Sequence, residues 1–484
     1  MAFLIVLASL CFLMFVAYRG YSVILFAPIA AMGAVLLTDP SLVAPMFTGL
    51  FMDKMVGFLK LYFPVFVLGA VFGKVIELSG FSKSIVSATI RIVGAQRAML
   101  SIVLVCALLT YGGVSLFVVV FAVYPFAAEL FRQGNIPKRL IPGTIALGAF
   151  TFTMDALPGT PQIQNIIPTT FFGTNTWAAP VLGTLGGIFI LVLGMLYLES
   201  RRRAALRAGE GYAGNDALLN EPAPFEGGNL PHPLIAVSPL LLVGISNILF
   251  TWMIPQFYGE AHAFIPAVIG DPAPVVQEVA RINAIWAVLG ALLVGILTVF
   301  AFAWRPVMTS FAQGSKDAIG GALLAAGNTA SEYGFGAVIA ALPGFLVVAN
   351  ALGSIPNPLV NEAITVTALA SIPNPLVNEA ITVTALAGIT GSASGGMSIA
   401  LAAMADTFIA NANAAGISME VLHRVASMAS GGMDTLPHNG AVITLLAVTG
   451  LNHRQSYKDI FAVTIIKTLA VFFIIGLFYA TGWT

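Results

Sequence analysis

Met154-Asp155-Ala156-Leu157-Pro158 returns near the other end of the chain as Met433-Asp434-Thr435-Leu436-Pro437. Both copies lie in strongly apolar stretches, where an ionisable side chain is costly and a proline interrupts helix. A second matched phrase precedes each: Gly112-Gly113-Val114-Ser115 before the first, Gly395-Gly396-Met397-Ser398 before the second. The intervals from 113 to 155 and from 396 to 434 are nearly equal. Two interrupted, polar segments at corresponding places in two halves are the sequence mark of a secondary transporter with a mid-membrane site. The alternative is chance similarity between two Gly/Pro-rich helices.

The rest of the chain fits that frame. Of its 484 residues, 58% are hydrophobic and 9% charged, against about 25% charged in a soluble protein. The fold class is therefore an all-α polytopic membrane protein. A formal net charge of zero gives no reason to expect a nucleic acid partner. Cys11 and Cys106 sit in apolar runs and read as packing residues. No basic residue precedes the apolar run that starts at Met1, so it reads as a retained first helix rather than a cleaved leader.

Spanning a bilayer takes about 20 apolar residues. Spans are expected at 2–18, 22–37, 56–78, 177–198, 233–253, 282–304, 319–342 and 461–479. Four further pieces are interrupted: 98–131 near Tyr111-Gly112-Gly113, 140–171 at Asp155–Pro161, 378–410 at Gly391–Gly396, and 425–451 at Asp434–Gly440. That makes about 12 membrane segments. Residues 1–199 form an N-terminal membrane half, 200–232 a polar cytoplasmic connector, and 233–484 a C-terminal membrane half.

Basic residues set the orientation. Arg201, Arg202, Arg203 and Arg207 put the connector in the cytoplasm, and the loop 255–280, acidic and without Lys or Arg, outside. Arg305 and Lys316 return the chain to the cytoplasm. Arg132, Lys138 and Arg139 precede the first broken helix, whereas His453, Arg454 and Lys458 follow the second. Equivalent elements then face opposite sides, which defines an inverted repeat. With cytoplasmic flanks at Arg97 and Arg132, the segment 98–131 reads as a re-entrant hairpin with its tip at Gly112-Gly113. Gly395-Gly396 would be the tip of a matching hairpin from outside.

Ser354–Ala370 reads SIPNPLVNEAITVTALA, and Ser371–Ala387 repeats it letter for letter. A perfect tandem duplication (354–387) beside older, imperfect repeats points to a recent in-frame event. The second copy runs into Gly388-Ile389-Thr390-Gly391 and is expected to form the first arm of hairpin two, leaving the first copy as a loop or short helix at the outer rim. The competing expectation reverses the two.

Breaking a helix at mid-membrane frees N–H groups and a dipole end that attract a carboxylate. The first break is dense in hydroxyls and amides, and Thr160, Gln162 and Asn165 are candidate substrate contacts, the alternative being helix-packing hydrogen bonds. Asn439 in the second break and Ser115, Ser392, Ser394 and Ser398 near the hairpin tips are further candidates. Asp155, Asp434 and His438 are candidates for proton coupling, since a carboxylate near an imidazole exchanges a proton close to neutral pH. The alternative is that Asp434 caps a half-helix. Glu332, in a polar island with Asn328, Thr329 and Ser331, is a fourth candidate. Lys74 and Glu77 read as snorkelling, and Asp406 is an outside candidate. No catalytic or metal-binding motif is present: Gly391-Ser-Ala-Ser-Gly395 lacks a nucleophile at its centre.

The stretches TYGGVSLFVVVFAVYPFAAELF, GAFTFTMDALPGTPQIQN, GITGSASGGMSIAL and SGGMDTLPHNGAVITLL resemble the gluconate permease family of proton symporters, within the larger ion transporter superfamily. A branch associated with 3-hydroxybutyrate is the nearer likeness. The resemblance implies a bacterial inner-membrane permease that imports a sugar acid or small hydroxy acid with protons, has no cofactor, and is often a homodimer. Sodium-coupled relatives often show Ser-Asn-Thr at the hairpin tips. Here Gly-Gly-Val-Ser and Gly-Gly-Met-Ser stand instead, which favours protons over sodium. A sodium-coupled carrier and a passive carboxylate channel are the rival readings.

Overall fold

The structure, a computed structural model, describes residues 2–19, 21–93, 97–114, 116–213, 219–222, 230–265, 274–343, 374–437 and 439–484. Ser115, His438 and the first copy of the duplicated segment lie outside these residues. The chain is an all-α polytopic membrane protein. Among the described residues, six helices are long and apolar enough to cross a membrane, and large apolar side chains such as Val56, Leu196, Trp252, Leu297 and Leu469 face outward along them.

α1 (Ala2–Tyr18) packs on α2 (Val23–Thr38). The buried face of α2 is Ala27, Ala30, Ala31 and Ala34, a stripe of small residues at helical spacing that lets backbones approach closely. The Ser9 hydroxyl crosses to the Ala30 carbonyl at 2.8 Å. A short α3 (Val43–Met46), flanked by a 3-10 and a π turn, leads into α4 (Met52–Leu78) and amphipathic α5 (Phe81–Val93).

Hairpin one is α6 (Ala98–Tyr111) and α7 (Leu116–Gln133). Gly113, at φ +94°, supplies a left-handed turn that other residues resist. The first interrupted helix is α8 (Ile141–Ala149), the single turn α9 (Phe152–Asp155) and α10 (Ile163–Phe172). α11 (Pro180–Arg207) continues past residue 199, where the connector was expected to begin. Glu199 pairs with Arg202 and Arg203 at 2.6 and 3.0 Å, one helical turn on, and carries the helix forward.

α12 (Pro233–Tyr258) and a two-stranded antiparallel ribbon, β1 (Ala261–Phe264) and β2 (Val275–Glu278), lead into α13 (Val279–Ala341). The spans expected at 282–304 and 319–342 are two helices that run together within α13. The kink between them is at Ala303 (φ −136°, ψ 35°), next to Pro306, whose ring removes an N–H and crowds the preceding turn. α13 packs along α4 and α12, and its end packs on hairpin two.

Hairpin two is α14 (Pro375–Thr390) and α15 (Ala393–Ala414). Most of the second duplicated copy lies in α14. The expected tip at Gly395-Gly396 is corrected: the turn is at Gly391, with φ +66°, and Ser392. The Ser392 hydroxyl accepts the Gly395 N–H at 3.1 Å and so starts α15 upstream of the glycine pair. Gly396 instead lies against the Ala387 backbone of α14. The second interrupted helix is α16 (Met419–Ser430) and α17 (Gly440–Thr449), followed by α18 (His453–Thr481).

Candidate functional site

Each break keeps its backbone satisfied with hydroxyls and amides, as buried irregular chain must. In the first, Thr151 and Thr153 donate to the carbonyls of Leu147 and Gly148, and Thr160 donates to Thr153 at 2.8 Å. In the second, Thr468 of α18 donates to the Gly432 carbonyl at 2.7 Å, and Tyr457 to that of Thr435 at 3.2 Å.

Each break also holds a hairpin turn through the side chain at the N-cap position of its second half-helix. Gln162, at the N-cap of α10, donates to the carbonyls of Thr110 and Val114 at 2.7 and 3.4 Å. Asn439, at the N-cap of α17, donates to the Gly391 carbonyl at 2.6 Å and accepts the N–H groups of Ala441 and Val442.

The two breaks meet. Asp155 is 1% exposed and rests against Gly431, where an added methyl group would overlap its Oδ2. Its backbone carbonyl accepts from Ser427 of α16 at 2.7 Å. Among the described residues, neither oxygen of its carboxylate has a hydrogen-bond partner. Lys467, also 1% exposed, projects from α18 between the breaks. Its ammonium pairs with the Asp434 carboxylate in one break and donates to the Phe150 carbonyl of the other at 3.2 Å. Asp155 faces Lys467, Asp434 and Arg424 electrostatically.

Arg424 of α16 is wholly buried. It donates to the Ala178 carbonyl at 3.2 and 2.7 Å, the Asp155 carbonyl at 3.3 Å and Asn165 Oδ1 at 3.1 Å. All of these acceptors are neutral, and the carboxylates that answer the charge of Arg424 are those of Asp155 and Glu420. Asn165 donates to the Thr160 and Thr176 carbonyls at 3.0 and 2.9 Å, which turns its Oδ1 toward His423 Nε2 at 3.1 Å. His423 Nε2 therefore carries the proton, and Nδ1 accepts from Thr174 at 2.6 Å.

Asp155 and Asp434 are thus brought together, and Gln162 and Asn439 flank them. Thr160 and Asn165 are engaged inside the protein. Glu332 stands apart on α13: it lies against Gly395 of hairpin two, and its Oε2 has no hydrogen-bond partner among the described residues. Ser394 shares a 3.2 Å contact with Thr329, while the buried Ser398 hydroxyl is unpartnered among the described residues. Ser115 and His438, and with His438 its expected pairing with Asp434, lie outside the described residues; Asp434 pairs with Lys467. Lys467, Arg424 and Gly431 were not singled out from the sequence. Lys467 carried a legible signal, a lone lysine inside an apolar span. Arg424 lies one residue before the interrupted piece expected at 425–451, and so did not read as an intramembrane charge.

Interrupted helices that meet around buried charge in a multi-pass membrane protein are the architecture of a transporter, and similarity to a transporter along the whole chain makes this protein one, not an enzyme. The chain is 56% identical over 490 residues, covering 100% of both sequences, to the uncharacterized transporter YxjC of Bacillus subtilis (strain 168), and belongs to the same family. No protein-family model matches. Among solved structures, the YdaH transporter of Alcanivorax borkumensis is similar at TM-score 0.49 and 14% identity, over 93% of this chain and 90% of that one.

Proposed function

We propose that this transporter is a proton-coupled importer of a small organic monocarboxylate, a sugar acid or hydroxy acid, in the bacterial cytoplasmic membrane. It works by alternating access around an inverted repeat. The observation that carries the reading is the meeting of Asp155, Asp434 and Lys467 where the two breaks touch. Buried charge costs several kcal/mol per ion, and an apolar filling serves packing better. Its presence points to moving ions.

The charge balance supports protons. Two carboxylates, Asp155 and Asp434, face two cations, Lys467 and Arg424. A monocarboxylate entering this balanced site adds one negative charge, and one proton taken up by a carboxylate removes it. Matched N-cap amides, Gln162 and Asn439, each grip a hairpin turn, as two halves of opposite orientation would. The Ser398 hydroxyl, buried near the start of α15, has no partner among the described residues, and a polyol or hydroxy acid reaching it would supply one.

The test is uptake into proteoliposomes of gluconate and 3-hydroxybutyrate, driven by an inward proton gradient without sodium. Accumulation against the substrate gradient supports the reading. Accumulation only with an imposed sodium gradient favours the sodium-coupled carrier, and equilibration without accumulation a channel.

A further inference from the structure

We infer that Lys467 is the residue that binds the substrate carboxylate, and that Asp434 withholds it until Asp434 takes up a proton. This rests on the proposed carboxylate import and names the group that does the binding.

Of the two buried cations at the meeting of the breaks, only Lys467 has a partner that can let go. Arg424 is bound to three neutral oxygens of the protein framework, those of Ala178, Asp155 and Asn165, and is a staple between α16 and the segment after the first break. Lys467 is bound to one backbone carbonyl, that of Phe150, and one carboxylate, that of Asp434. A carboxylate loses its hold on an ammonium once it is protonated. An ammonium has three donors, and one is enough to keep the Phe150 contact while another turns to an incoming anion.

Besides Asp155, Arg424 and Asp459, α14 brings the buried Glu379 among the elements packed on α18, with neither carboxylate oxygen partnered among the described residues. Asp155 stands opposite and repels a second anion unless the local charge is reduced, while Arg424 partly offsets it. Asp459, nearer the start of α18, is held by Arg139 and Arg201 and by the Tyr197 hydroxyl. In the unloaded state Asp434 is ionised and pairs with Lys467. A proton arrives on Asp434, the pair opens, and the substrate carboxylate takes the vacated position on Lys467. On release the proton leaves Asp434, which reclaims Lys467 and displaces the anion. No bond other than the O–H of Asp434 forms or breaks, and one proton moves with one anion.

The experiment is a thermal-shift titration of the purified full chain with gluconate, 3-hydroxybutyrate and lactate, each against chloride at equal ionic strength, at several pH values. In the wild type, the apparent Kd of the responding carboxylate should rise about tenfold per pH unit once Asp434 is ionised, the slope for one linked proton. Asp434→Asn should bind that carboxylate with the slope flattened. The paired variant Asp434→Asn/Lys467→Met removes both charges together, so it avoids a stranded ion, and should lose the shift. Lys467→Arg should keep it. A paired variant that still binds overturns the role of Lys467, and an Asp434→Asn variant with the wild-type slope overturns the gate. Either result leaves carboxylate import standing. No shift with any of the carboxylates in the wild type overturns both.

Discussion

Asp155 rests against Gly431, so that the carboxylate of one interrupted helix fills the place a side chain would take on the other. The contact joins the two breaks directly, beside the bridges made by Ser427, Arg424 and Lys467. It also explains why glycine follows the last turn of α16: the backbone there, φ −78° and ψ −7°, suits any residue, so the requirement is space.

Gly431→Ala therefore tests the contact without backbone strain. The new methyl group drives Asp155 from its position, and overpacking of this kind costs about 1–3 kcal/mol. The expected outcome is a lowered unfolding midpoint together with lost substrate accumulation. Gly321→Ala, whose methyl group would meet no neighbour, is the control for stability and should cost nothing.

The sequence carried much of this arrangement. The repeated Met-Asp-x-Leu-Pro phrase marked both interruptions, because prolines and aspartates are hard to place in apolar helix for any reason other than function. It could not reveal which residues complete the site. Lys467 reaches Asp434 from a helix that is regular throughout, so no local irregularity pointed to it. The turn of hairpin two was misplaced for a related reason. Glycine pairs suggest tips, but Gly395 and Gly396 are small to admit Glu332 and the Ala387 backbone, while the Ser392 cap decides where the helix starts. The span boundary expected at Trp304 falls on the kink at Ala303, but Arg305 and Lys316 read as a loop where the chain is helical.

Asp434 and Lys467 should behave as a unit. Removing one partner strands a buried ion, at a cost of about 3–5 kcal/mol, whereas removing both is far milder. Denaturation of Asp434→Asn, Lys467→Met and the paired variant gives a cycle with strong coupling, in which the paired variant recovers most of the stability lost by either. All three lose accumulation, since recovery of stability does not restore a titrating group.

The cap amides should differ in their cost. Asn439→Ala removes a helix cap and the grip on Gly391 together, about 1–2 kcal/mol. Gln162→Ala removes the donation to Thr110 and Val114, about 1 kcal/mol. Asn439→Asp keeps the acceptor for the Ala441 and Val442 N–H groups but loses the donor to Gly391. It should hold α17 while freeing the hairpin turn, seen as faster amide exchange at 388–396 with exchange in 440–449 unchanged.

Glu221 gives the connector a pH dependence. Partial burial opposes its ionisation, but Lys138 and Arg132, at 2.7 and 2.6 Å, outweigh that and hold the carboxyl below its usual value. A depressed carboxyl stabilises the fold above its unfolded value, about 4.3, and the contribution is lost as pH falls through the folded value. Glu221→Gln should lower the unfolding midpoint at neutral pH, and the difference from wild type should vanish well below about pH 4. The effect is small because water screens the cluster.

The balance of charge at the breaks also fixes how transport responds to voltage. Counting Asp155 and Asp434 as ionised against Lys467 and Arg424, the empty site is neutral, and the proposed cycle of one monocarboxylate with one proton leaves it neutral. Neither the loaded nor the empty protein then carries net charge across the membrane at this site, and a potential has nothing to act on. Uptake driven by a pH gradient should be the same whether a potassium diffusion potential is imposed inside-negative, inside-positive or not at all. Acceleration by an inside-negative potential would mean that more than one proton accompanies each anion, and the second would need another carboxyl. Glu332, buried against Gly395 and without a partner for its Oε2 among the described residues, is the group to neutralise next. Glu332→Gln should then abolish the voltage dependence while leaving pH-driven uptake in place.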